Sequence, residues 1–128
     1  MDRKIISIGA VLGMVAIILG AFGAHALKKV LSLEQLGAFE TGVKYQMYHA
    51  LFLLFVGTNQ NIALKAKKII LNLVVVGVVF FSGSIYLLAT NTLTSFDFRV
   101  FGFVTPIGGL LLITAWLWLF IAIFKKKS

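Results

Sequence analysis

Few side chains in this sequence could do chemistry. His25 and His49 are the only histidines, and cysteine is absent. A thiol nucleophile, a disulfide and a cysteine-held metal or cluster are thereby excluded. The two histidines with Glu40 would make three metal ligands, but no tight ligand spacing accompanies them, so no metal is expected. Serines and acids are present too, yet no nucleophile motif frames any serine. With no reactive constellation legible, the chain is not read as an enzyme, and no cofactor is implied. What stands out is a set of polar groups within apolar sequence: Tyr45, Tyr48 and His49 in one run, Ser82, Ser84, Thr90 and Asn91 at the end of another, and Thr105 opening a third.

The elements that must position these groups are set by hydropathy. The chain has 128 residues, 60% of them apolar and only 12% charged, with a mean hydropathy of +1.02. A soluble domain is about half apolar and a quarter charged, so this composition excludes one. The net charge of +8 does not point to nucleic acid, because the lysines punctuate apolar runs as they do in membrane proteins. A spanning helix needs about 20 apolar residues to cross about 30 Å of hydrocarbon. Three runs qualify: 5–27, 69–89 and 106–124. The fourth run opens at Thr105 and Pro106, a cap followed by a residue suited to the first helical position.

The remaining run is short of charge only over residues 45–57, too few to span. Upstream, Ser32 and Gln35 have the spacing of a capping box. We therefore expect one helix over residues 33–57, amphipathic at its start, where Glu40 and Lys44 can pair, and membrane-embedded in the rest. The expected fold is an all-α integral membrane bundle of four transmembrane helices in a single domain. Arg3, Lys4, an apolar stretch and Ala24-His25-Ala26 imitate a signal peptide, but the stretch is too long for one. Eight lysines and arginines fall on the side shared by both termini and the middle loop, against four on the other, which predicts cytoplasmic termini in a multi-pass inner-membrane protein. Phe96, Phe98, Phe101 and Phe103, around Asp97 and Arg99, read as interfacial anchors beside a solvated pair.

Gly9, Gly13 and Gly20, with Ala16 and Ala24, line one face of the first helix and suit close helix packing, within the chain or between copies. On the predicted topology His25, Glu40, Tyr45, Tyr48, His49 and Ser84 converge in the outer half of the bundle, with Trp116 in the inner half. Glu40, Lys44, Tyr45, Tyr48 and His49 share one broad arc. Polar groups at such depth face the bundle interior. They either hydrogen-bond one another and fix the packing, or bind a small ligand, ion or lipid.

Four ordered strings carry a resemblance over nearly the whole chain. They are Gly20-Ala21-Phe22-Gly23-Ala24-His25-Ala26-Leu27, then Phe39-Glu40-Thr41-Gly42 with Tyr45-Gln46-Met47-Tyr48-His49-Ala50, then Gly83-Ser84-Ile85-Tyr86-Leu87-Leu88-Ala89, and Thr105-Pro106-Ile107-Gly108-Gly109. Together they resemble the YgdD/YwdK-like family of small bacterial inner-membrane proteins, a domain of unknown function. The resemblance implies four spans and assigns no catalytic residue. The functional readings are a membrane protein binding a ligand in its outer half, an accessory subunit of a larger membrane complex, and a small transporter. A carboxylate in the first helix, which small proton-coupled exporters use, is missing. The bilayer is the expected partner and nucleic acid is not; a homo-oligomer or a membrane-complex partner stays open.

Overall fold

The computed structural model describes residues 2–93 and 102–126. Four helical rods make up the bundle. They are α1 (Asp2–His25), α2 (Leu33–Thr58), α3 (Leu64–Ala89) and α4 (Val104–Lys126). Helix α2 lies centrally, packing on α1 along one side and on α3 along the other, while α4 packs on α3. Three of the rods, α1, α3 and α4, are long and apolar enough to cross a membrane. Helix α2 has 26 residues, about 39 Å at 1.5 Å each, but carries Glu34, Glu40 and Lys44 in its first half.

Local chemistry explains the boundaries. The Ser32 hydroxyl accepts from the Gln35 amide at 3.1 Å, and the Gln35 side chain accepts from the Ser32 amide at 3.0 Å. This capping box starts α2. No break occurs within α2, so its polar start and apolar remainder form one rod.

Several boundaries differ from the sequence expectation, three of them for a clear local reason. Helix α1 stops at His25 rather than 27, because Leu27 turns into a 3-10 segment (Leu27–Lys29) and buries against Leu31 and Phe39. Helix α3 starts at Leu64, five residues before 69. Lysine is a good helix former, and Lys67 buries its stem while its ammonium reaches the carbonyl of Gly57 at 3.3 Å. Helix α4 starts at Val104, so Thr105 lies inside its first turn rather than capping it. Pro106 is tolerated there because first-turn amides have no partner within the helix. A π-helical turn, Val79–Gly83, lies within α3, where hydropathy carries no signal for it. Of the expected anchors, Phe103 is exposed; Phe96, Phe98, Phe101 and the Asp97–Arg99 pair lie outside the described residues.

Glycines set the helix separations. A Cβ on Gly9 would sit 2.9 Å from the Ala50 carbonyl, and one on Gly20 would sit 3.4 Å from Val43. Gly13 faces Ala50 and Met47. All three therefore serve the α1/α2 seam within the chain. At Gly108 a Cβ would strike the backbone of the π turn, and the Gly77 carbonyl would lie 2.9 Å away. Because that neighbour is main chain, α3 and α4 can approach this closely only over a glycine.

Candidate functional site

Inside the bundle, polar side chains tie all four helices together. Gln46 is the hub: its amide donates to the Leu12 carbonyl of α1 at 2.9 Å, and its oxygen accepts from the Tyr86 hydroxyl of α3 at 2.6 Å. Ser82 donates to the Gly42 carbonyl at 2.7 Å, made accessible where the π turn lies against α2. Ser84 and Thr105 share a hydrogen bond of 2.5 Å between α3 and α4. Ser84 also reaches the Phe81 carbonyl at 3.0 Å. Among the described residues, no buried side-chain nitrogen or oxygen lacks a partner.

His49 is buried and makes two bonds. The Trp116 indole donates to its Nε2 at 3.0 Å, and its Nδ1 lies 2.7 Å from the Tyr45 carbonyl. An indole nitrogen can only donate, so Nε2 must accept. Nδ1, facing a carbonyl, must then carry the proton. The geometry defines the neutral Nδ1–H tautomer, the one form that makes both bonds. Phe52 completes the group, with its ring centroid 4.2 Å from that of Trp116.

The other expected site residues are dispersed around this pair. Tyr45 is exposed at its ring, which packs on Tyr48 and Phe81. Tyr48 is also exposed. Ser84 belongs to the α3/α4 bond, away from His49. His25 is exposed at the end of α1. Glu40 is exposed on α2, and the structure does not bring it to His49. Nine residues separate the two, which is half a turn out of phase at 100° per residue, so the shared arc expected from the sequence is too broad to form one site. Depth is corrected as well. His49 lies level with the middle of α1, where Met47 and Ala50 face Gly13, and it bonds Trp116, which the sequence reading assigned to the opposite half.

Gln46, Tyr86 and Trp116 were missed as site residues, whereas Ser82 stood among the polar groups of the third run. Gln46 had a legible signal, being the one amide in the uncharged run 45–57. Trp116 had a weaker one, since a buried indole N–H usually finds a partner.

Beside the His49–Trp116 pair runs a lateral groove of about 700 Å³ between α2 and α4. Its walls include Tyr48, Leu51, Phe55, Trp116, Phe120 and Phe124. A smaller cavity of about 320 Å³, bounded by Tyr45, His49, Phe81, Gly109 and Trp116, lies at the same pair. Both volumes are in the range of small-molecule sites, and the lining is overwhelmingly apolar.

Apolar rods joined by a saturated polar network, with aromatic side chains turned outward, define a small helical membrane protein. Its sequence places it more narrowly. The chain belongs to the family described as protein of unknown function (DUF423), whose model matches residues 19–109. It is 43% identical over 127 residues to a UPF0382 membrane protein of Staphylococcus haemolyticus, covering 96% of this chain and 97% of that protein. To a UPF0382 membrane protein of Haemophilus influenzae it is 34% identical over 128 residues, covering 100% and 99%. To the UPF0382 inner membrane protein YgdD of Escherichia coli K12 it is 33% identical over 130 residues, covering 98% and 93%. No solved structure matches the chain.

Proposed function

We propose that the protein is a four-span inner-membrane protein with both termini cytoplasmic, that it is not an enzyme, and that it binds a lipid acyl chain in the α2/α4 groove. The observation that carries this reading is the groove itself, which opens sideways and is walled by Phe55, Trp116, Phe120 and Phe124. In a bilayer such a groove is bathed in hydrocarbon, and water has no partner there. An ion is disfavoured because the His49 nitrogens are already occupied by Tyr45 and Trp116. Transport is disfavoured because Ile5, Leu53, Val56, Ile70 and Val74, each no more than 1% exposed, fill the interior at the basic end. Four spans are supported by α2 packing antiparallel along α1, from Phe39 against Gly23 to Gly57 against Ile6.

The groove is tested by fluorescence quenching with brominated-chain phospholipids. Trp116 lines the groove and Trp118 does not, so W118F and W116F each leave one reporter. Trp116 should be quenched at a lower fraction of brominated lipid than Trp118. A Trp116 that brominated lipid fails to quench would overturn the reading and favour a covering protein, as in an accessory subunit. A reporter active only outside the cytoplasm, fused to the C-terminus, should be silent.

A further inference from the structure

A second cavity, of about 400 Å³, lies between α1 and α3, bounded by Lys4, Ile5, Lys68, Leu71 and Asn72. Because residues near the start of α1 and of α3 line the same cavity, the N-termini of the two helices lie at the same end of the bundle. Lys4 stands in the first turn of α1, and Lys68 about one turn inside α3. The rim is thus two ammonium groups and an amide, while the floor is Ile5 and Leu71, both buried. Among the described residues no carboxylate lines the cavity, and the acidic side chains described, Glu34 and Glu40, are on α2 towards the other end of the bundle. The parallel helix N-termini add positive potential of the same sign.

We propose that this cavity binds the phosphate headgroup of an anionic phospholipid, with Lys4 and Lys68 pairing the phosphate, Asn72 donating to its oxygens, and the acyl chains descending over Ile5 and Leu71. A cationic rim directly above an apolar floor fits a lipid. A free inorganic anion would use the rim alone. Basic pockets between transmembrane helices recognise anionic headgroups in this way. The site is independent of the α2/α4 groove, since it uses other helices and other chemistry.

The test is native mass spectrometry of the full chain released from detergent with equal amounts of phosphatidylglycerol and phosphatidylcholine. Phosphatidylglycerol should be retained preferentially. K4A and K68A should each reduce that preference about five-fold, the worth of one lysine at an anionic surface. K4R/K68R should keep it, and K28A/K29A, altered at the opposite end, should keep it too. Both lysines are exposed, so their removal spares the fold, and an unchanged melting temperature in lipid-free detergent checks this. An undiminished preference in K4A/K68A overturns the proposal. So does displacement of the lipid by millimolar inorganic phosphate, which would make this a free-anion site. Loss of Trp116 quenching in the groove experiment would leave this result untouched.

Discussion

At the end of the bundle that carries Lys4 and Lys68, the interior is made of Ile5, Val56, Ile70, Val74 and Leu119. Toward the other end, the helices are joined through Gln46, Ser82, Ser84, Tyr86 and Thr105. In water the apolar end would dominate stability. In lipid it does not, because the acyl chains are as apolar as the side chains they would replace. The apolar end is therefore held mainly by fit, with Gly9 and Gly57 letting α1 and α2 approach each other, and Lys67 adds one bond there, to the Gly57 carbonyl. The polar end is held by direction, since a hydrogen bond is lost when a helix slides by one residue. Shape sets the distance between helices, and polar bonds set their register.

The largest expected effect comes from violating fit where only backbone can yield. Gly108→Ala places a methyl group against the main chain of Phe81 and Gly77, and should cost about 3 kcal/mol, the upper part of the usual overpacking range. Gly109→Ala, where a Cβ would meet Phe81 at 3.7 Å, should be nearly neutral. Denaturation in detergent or bicelles measures both. Equal losses would mean that close approach does not set the α3/α4 distance.

Removing direction should cost less. Trp116→Phe keeps the aromatic contact with Phe52 but leaves buried Nε2 of His49 without its donor. A loss of about 1–2 kcal/mol is expected in the same assay. Smaller still is the coupling between Gln46 and Tyr86. A double-mutant cycle with Gln46→Leu and Tyr86→Phe should return about 0.6 kcal/mol, the average for such bonds in a bilayer. A coupling near zero would remove Gln46 from its role as hub. The smallest change is a gain: a Cβ on Gly37 meets nothing within 4 Å, so Gly37→Ala should add about 0.5 kcal/mol of helix stability. A loss there would indicate that the start of α2 needs glycine for a contact outside this chain.

Much of the fold was legible because the signals were local. Hydropathy marks α1, α3 and α4, and Ser32 with Gln35 marks the start of α2. The site was less legible because its bonds join residues far apart in sequence. His49 meets Trp116 across 67 positions, and Gln46 meets Leu12 across 34. Polarity and side of membrane grouped Glu40 and His25 with His49, but helix phase separates them. Matching helix depth by counting residues from each end also put His49 and Trp116 in opposite halves, which hid their bond. The same loss of phase affects α3, where the π turn at 79–83 shifts every later residue relative to regular helical spacing.

That π turn has a consequence for the length of the chain. A π turn within an α-helix is equivalent to one inserted residue. A chain one residue shorter within 79–83 would regain regular 3.6-residue periodicity, with Leu64–Val78 and Ser84–Ala89 keeping the faces they now present. It would lose only the local widening from which Ser82 reaches α2. Deleting one residue from this turn should thus leave Ser84 and Tyr86 on the faces they now occupy.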